Sequence, residues 1–348
     1  MRAFLVYLIF ACVLFFAEGC REISYKIEFT ELETGTDASL RALHVVSNDI
    51  IWASGTGGTF LTSSDGGATW KTDTVAGASG DDLRSIHAWN DREAILFGIS
   101  NAGRVYFTDD GGDSWKIVYE NNSEGIFFDS AIFADELNGM ALSDPLDSCS
   151  FVIRTSDKGK KWTRILNLPV LKKGEYNFAA SNSCIDYHPC GNAWIVTGGA
   201  DARVFATQNH GESWYAYDTG IISGSSTSGI FSVAFLNDKD GIIIGGTYDK
   251  PELNKRVAAY SSDGGVNWTL SGIMPGGFRS SVIWLNNDDE SIAFALGKTG
   301  CDYSLDKGET WVTGPIIEGY YTARPVPGTL NGFAAGANGR VARFKMVL

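Results

Sequence analysis

Three arginines, Arg41, Arg84 and Arg279, occur in the matching contexts LRAL, LRSI and FRSS, each at the start of a short apolar run. Their shared surroundings place them at one repeat position, and the planar guanidinium fork suits a carboxylate or a phosphate. Asp129, Phe231 and Tyr321 stand at the same position in other runs, FDSAIF, IFSVAF and YYTARP. Three arginines, an acid and a tyrosine recurring at one position, in a chain with 28 basic residues, point to a pocket for an anion. The alternative is a set of ion pairs bridging neighbouring strands, with Asp129 or loop acids as partners. Glycine-bearing loops add Asp144 in LSDP, Tyr248 in GGTYDKPELNK and Tyr303 in TGCDYS, and Glu175 stands in KGEYNF. Each of these also has an ordinary rim or packing role. His44 and His87 each follow an arginine by three residues, a shared placing that suits core histidines better than catalytic bases.

A second set of acids is more regular. The octapeptide SSDGGATW at 63–70 recurs as TDDGGDSW, TSDKGKKW, TQNHGESW, SSDGGVNW and SLDKGETW. Its acidic position is Asp65, Asp110, Asp157, Asn209, Asp263 and Asp306, at intervals of 43 to 54 residues. An acid repeated in this way is a turn device and not a series of active sites. The carboxylate accepts backbone N–H groups of its own hairpin, glycine supplies a positive φ and tryptophan packs between layers. Asn209 fits because its amide oxygen accepts the same bonds.

The elements that must position these residues follow from the same period. Around each octapeptide lie an apolar strand, a glycine-rich turn, a second strand, the box and a further strand, as in IIWASGTGGTFLTSS followed by WKTDTV. With the arginine-bearing run in front, each unit has four strands, the content of one propeller blade. The fourth inner strand is the least clear, around FAASNSCIDY at 178–187. After the sixth box, GYYTARPVPGTLNGFAAGANGRVARFKMVL supplies three strands of a seventh unit, and YKIEFTELE at 25–33 supplies the missing outer one. The expected fold is therefore all-β: a seven-bladed β-propeller of four-stranded antiparallel blades. An N-terminal strand completes the last blade and closes the ring, which removes free sheet edges. A composition of 41 Gly, 8 Pro and 43 aromatic residues in 348 agrees with many short strands and tight turns.

A formal charge of −13 excludes a phosphate-backbone binder, so no nucleic acid is expected as a partner. Residues 1–20 read as an export signal: Arg2, the apolar run AFLVYLIFACVLFFA, then AEGC. Cys20 after Gly19 is similar to the lipidated cysteine of bacterial lipoproteins, although Ala17 and Glu18 depart from the usual pattern. With Arg21 in place of a retention aspartate, an outer-membrane-anchored lipoprotein is expected, with residues 21–348 forming one domain and the membrane met only through the lipid. Four cysteines remain, Cys149, Cys184, Cys190 and Cys301, and three pairings are open to them. Neither zinc-ligand spacing nor a nicotinamide or flavin fingerprint is present, so no metal and no cofactor is expected. The glycines of GTGGTF are no phosphate loop, since no helix follows them.

Along its mature length the chain resembles the bacterial BNR/Asp-box repeat propellers related to photosystem II stability and assembly factors, within the sialidase-like superfamily. The segments ASGTGGT, FFD, LSDP, FAAS, SGIFSVAF, GGTYDKP, GFRS, CDYS and GANGRVARF carry the resemblance. It implies a monomeric binding or assembly propeller that holds an envelope protein or an anionic glycan at its arginine-bearing funnel, away from the boxes. The sialidase comparison implies a second reading, a glycoside hydrolase or lyase acting on acidic sugars. Arg41, Arg84 and Arg279 would be its carboxylate-holding triad, with Asp129, Glu175, Tyr303 and Tyr321 as catalytic candidates. LRAL lacks the Ile-Pro expected after the first arginine, and sialidases have six blades rather than seven. A purely structural role in an envelope complex is the third reading.

Overall fold

Hairpin after hairpin, the chain lays down its strands in sequence order. In the computed structural model, which describes residues 24–99 and 102–348, they form seven sheets. The signal segment and Cys20 lie outside the described residues. Blade 1 shows the pattern, with Leu40–Val45 innermost, then Ile51–Gly55, Thr59–Ser63 and Lys71–Thr74, each antiparallel to the last. The second strand is buried along its whole length and the fourth is exposed along its whole length. This gradient explains why the inner runs read as continuously apolar: they are covered by neighbouring blades on both faces.

The seventh blade is built from both ends of the chain. Lys26–Leu32 pairs antiparallel with Val341–Val347, outside Asn331–Gly336 and Tyr320–Pro325. The ring is thereby closed by hydrogen bonds between residues some three hundred positions apart, from Lys26 opposite Val347 to Leu32 opposite Val341.

Each octapeptide spans the turn between the third and fourth strands. In the first, Asp65 Oδ1 accepts from the Ser63 hydroxyl (2.8 Å) and the Thr69 N–H (2.9 Å), and Oδ2 accepts from the Thr69 hydroxyl (2.6 Å). The Thr69 bonds above all hold this carboxyl down at about 2. Ser63 Oγ in turn accepts the Gly67 N–H, and Trp70 donates its indole N–H to the Gly67 carbonyl. Gly67 has φ +86° and a Cβ there would lie 2.6 Å from Leu32. The carboxylate accepts the N–H four residues on at Asp110, Asp157, Asp263 and Asp306 as well, although Trp115 has no indole partner among the described residues and Trp311 donates to Ser271 instead. At Asn209 one bond runs in reverse, because the amide donates to the Ser213 hydroxyl instead of accepting from it.

The Asp157 turn provides a stability test, since its carboxylate accepts both the Thr155 hydroxyl and the Lys161 N–H. Asp157→Ala is expected to lower the unfolding free energy by about 1 kcal/mol through these lost bonds. Urea denaturation checks it; an unchanged midpoint would remove the turn from the list of stabilising features.

Candidate functional site

In five blades the innermost strand breaks its register at one place. The interruptions fall between Leu40 and Ala42, Leu83 and Ser85, Phe128 and Ser130, Ile230 and Ser232, and Tyr320 and Thr322. The skipped residue is Arg41, Arg84, Asp129, Phe231 or Tyr321. A bulged residue leaves the ladder and its side chain is re-aimed, which is how a strand otherwise committed to packing presents a group at a rim. In blade 7 the second strand makes room with Gly336, where a Cβ would come within 1.9 Å of the Gly319 carbonyl oxygen and 2.7 Å of Tyr320 Cα.

Four of these bulged residues meet in one cavity of about 380 Å³, lined by Arg41, Arg84, Phe231 and Tyr321 together with Tyr248 and Lys298. Arg41 lies over the Tyr321 ring, with Cζ 4.3 Å from its centroid, and makes no hydrogen bond or ion pair among the described residues. Burial, and then the neighbouring Arg84 guanidinium, pull Arg41 below the usual arginine range. Arg84 is half engaged, with Nε on Asp82 (2.8 Å) and Nη1 on the Ala179 carbonyl (2.9 Å). The same cavity has an aromatic wall in which Phe178 stacks on Phe231 at 3.8 Å and Tyr248 and Phe278 pack edge-on against Phe231. No carboxylate is among the described residues lining this cavity.

Blade 4 departs from the others. Its inner strand is only Ile185–Tyr187, because residues 177–184 leave the blade and run into the axial channel. There Ser181 donates to the Ser280 carbonyl (2.5 Å) and its own carbonyl accepts from Thr322 (2.9 Å). Asn182 Oδ1 accepts from Ala131 N–H (2.8 Å) and Ser130 (3.0 Å), and the Ser183 carbonyl accepts from Val233 N–H (2.9 Å). With Arg84 on Ala179, this plug is bonded to blades 2, 3, 5, 6 and 7. It also divides the channel into two cavities.

Several expected site residues lie elsewhere. Arg279 does not join Arg41 and Arg84: it is 3% exposed and its Nε donates to Asp302 Oδ2 at 2.5 Å. The strand pairing explains this: Val282 opposite Ala295 matches Leu43 opposite Ala53, so Ser280, which lines the cavity, stands at the Arg41 point, while Arg279 falls one residue earlier, at the Leu40 point, and turns onto Asp302 of the third strand. Tyr303 is buried against the N-terminal strand, its hydroxyl accepting the Tyr25 N–H (3.0 Å), so it cannot reach a ligand in the funnel. Glu175 is locked in a two-pronged ion pair with Arg203 (2.9 and 2.6 Å) and also accepts from Thr197. Asp129 is 1% exposed and sealed behind the rim beside half-buried Asp144, and neither lines the cavity. Asp129 Oδ2 and Asp144 Oδ1 have no hydrogen-bond partner among the described residues. Burial drives both carboxyls up, Asp144 to about 6, and Asp129 is pushed further by Asp144. All four described cysteines are free thiols, with Cys184 and Cys301 buried.

The sequence reading missed Lys298, Phe178 and Phe278, which come from loops and from the plug. It also missed Arg324. Arg324 follows Tyr321 by three residues, just as His44 follows Arg41 and His87 follows Arg84, so that relation carried to blade 7 would have found it.

No family model matches the chain. A curated relative, the photosystem II assembly lipoprotein Ycf48 of Synechococcus sp. (strain CC9902), is 27% identical over 252 residues, which is 72% of this chain and 66% of that protein. The alignment thus spans just under two thirds of the relative's length. A solved structure of YCF48 bound to D1 peptide superimposes with a TM-score of 0.64 at 17% identity, covering 93% of this chain and 98% of that one. The chain is similar to the photosystem II assembly propellers. A GH74 xyloglucanase from Xanthomonas campestris matches with the same TM-score, 0.64, at 12% identity, covering 92% of this chain and 53% of that one. Likeness at this level shows the fold alone, and it is shared by a peptide-bound protein and a glycosidase.

Proposed function

We propose that the protein is a non-catalytic binding propeller that holds a segment of a partner protein in the Arg41 cavity. The observation that carries this reading is the Arg41 guanidinium, over the Tyr321 ring and with no hydrogen-bond or ion-pair partner among the described residues, in one cavity with Arg84, Lys298 and an aromatic wall. A desolvated cation left unpaired in a protein favours an incoming carboxylate. The aromatic side offers apolar contact to the remainder of an extended chain. The Ycf48 relative, named as an assembly lipoprotein, and the propeller solved with a D1 peptide support a protein ligand over a sugar. The lining supports it too, because hydrolysis by a carboxyl pair needs two acids flanking the bond, and the described lining of this cavity supplies none. On this reading the lipid on Cys20 tethers the protein to the outer membrane and the propeller works as a monomer at that surface.

A peptide array tests the proposal, with members that carry a free C-terminal carboxylate, or internal Asp or Glu, beside aromatic residues. The wild type is expected to select acidic–aromatic members, and Arg41→Ala and Arg84→Ala to weaken them at least about tenfold, the scale of one charge-assisted contact. Asp157→Ala should leave binding unchanged. Retained affinity in both arginine variants, or turnover of a fluorogenic sialoside by the wild type, would overturn it.

A further inference from the structure

Beyond the plug lies a second cavity, of about 360 Å³, at the opposite end of the channel. The residue three positions past each bulge lines it: His44, His87, Ile132, Ala234 and Arg324. The rest of the lining is mostly apolar, including Phe133, Phe235, Val282 and Trp284. Its polar groups converge on one side. Arg324 is held in place by four bonds, from Nη1 to the Ala323 carbonyl (2.7 Å) and Thr322 Oγ1 (3.2 Å) and from Nη2 to the carbonyls of Asn182 (2.5 Å) and Ser181 (3.3 Å). All four acceptors are neutral. Arg324 makes no ion pair among the described residues and its Nε–H has no partner there.

His44 and His87 stack edge to face at 4.3 Å, and His87 also packs on Phe133 at 4.7 Å. Neither ring has a hydrogen-bond partner among the described residues. Burial holds both imidazoles well below the usual range, His44 at about 3, with Arg324 adding to the effect at His44. Each ring is therefore neutral and brings one N–H donor and one acceptor nitrogen. The one carboxylate in the lining, Asp186, is already engaged. Its Oδ2 accepts the Phe235 N–H (2.7 Å), its Oδ1 accepts the Tyr187 N–H (2.9 Å), and His188 Nε2 lies 3.6 Å from Oδ2.

From this arrangement we propose that the far cavity binds a small monocarboxylate with an apolar body, its carboxylate held by Arg324 and the imidazole N–H groups of His44 and His87. Arg324 is a fixed cation with no ion pair among the described residues; the Asp186 carboxylate in the same lining already favours its charge, so the site suits a ligand with no more than one negative charge and an apolar remainder. A phosphate dianion would bring a second charge, and Asp186 would oppose it. A metal cation is disfavoured by Arg324. The volume and the mixture of apolar wall with few convergent polar groups are those of a small-molecule site. This site shares no lining residue with the Arg41 cavity and does not depend on the partner-binding reading.

The test uses the full chain and three probes, phenylacetate, indole-3-acetate and 4-methylpentanoate, each followed by ligand-observed NMR and by quenching of tryptophan emission. At least one is expected to bind at least about tenfold more tightly than its uncharged amide. Ile132→Trp, which fills the cavity, should abolish binding, and His44→Leu should weaken it several-fold. Arg41→Ala should leave it unchanged, which separates this site from the peptide site. Arg324→Leu should also abolish binding, but Arg324 braces the plug, so Ile132→Trp and His44→Leu carry the test if that variant does not fold. Failure of all three acids, equal binding of acid and amide, or binding that survives Ile132→Trp would overturn the proposal.

Discussion

Replacing Arg279 by leucine is expected to lower the unfolding free energy by about 3 to 5 kcal/mol, the cost of stranding a buried charge by removing its partner. The stranded group is Asp302, whose side chain is fully buried while that of Arg279 is 4% exposed. Burial already drives the Asp302 carboxyl upward, and the Arg279 guanidinium is the first influence holding it down. Without the arginine, only the Gly276 N–H at 2.9 Å and weaker neighbours remain to it. Urea denaturation reads the loss directly. Peptide affinity in the folded fraction should match the wild type, in contrast to Arg41→Ala. A variant of unchanged stability that no longer binds peptide would return Arg279 to the funnel. A second change, Asp302→Leu, should recover much of the stability, because removing both charges leaves no buried charge unpaired and only the Gly276 N–H without its acceptor.

Asp144→Asn is expected to raise stability near neutral pH by about 1 to 3 kcal/mol, from about 1.4 kcal/mol per pKa unit discounted for partial exposure. The Asp144 carboxyl is pushed up to about 6 by burial, against which the Asn177 N–H works. Because the native state holds this proton more tightly than the unfolded chain, its contribution is complete below the ordinary aspartate range. It is then lost as pH rises from about 4 through about 6. Asparagine stays neutral throughout and still offers an oxygen to the Asn177 N–H. The difference in unfolding free energy between variant and wild type should therefore be small at pH 4 and widen up to pH 7.5. Comparing the two proteins cancels groups with the opposite sign, such as Asp65, held down at about 2. Asp129 titrates with Asp144, so the difference reports the pair. A gap that is flat with pH would show that Asp144 is ionised at no cost in the native state.

The ring was legible in the sequence because its parts repeat. Six boxes and the three strands that follow the sixth set the count at seven blades, and the alternation of YKIEFTELE sufficed to place Lys26–Leu32 beside Val341–Val347. The register of the candidate position was legible too, since Arg41, Arg84, Phe231 and Tyr321 emerge from equivalent points of four inner strands into one cavity. What repetition cannot reveal is the single residue elsewhere that redirects a member of the set. Arg279 shares the sequence context of Arg41, but the strand pairing puts Ser280 at that point and Arg279 one residue earlier, where it turns onto Asp302 of its own blade. Glu175 reads as a free acid until Arg203, which lies 28 positions on, closes over it. Blade 4 hid the most, because residues 177–184 abandon the repeat, and a segment bonded to five blades leaves no periodic trace.

That segment also dictates an order of assembly. A stack of repeats can gain stability one unit at a time, since each unit contacts only its neighbours. Here the hub is synthesised 141 and 142 residues before the Thr322 and Arg324 groups that bond the Ser181 and Asn182 carbonyls. The outer strand that completes the seventh blade, Lys26–Leu32, waits through the synthesis of the other six blades for its partner Val341–Val347. No run of consecutive blades can therefore satisfy both the hub and the rim. The native ring is reached as a whole, and a chain cut anywhere before Thr322 is left with an open circle around an unanchored axle.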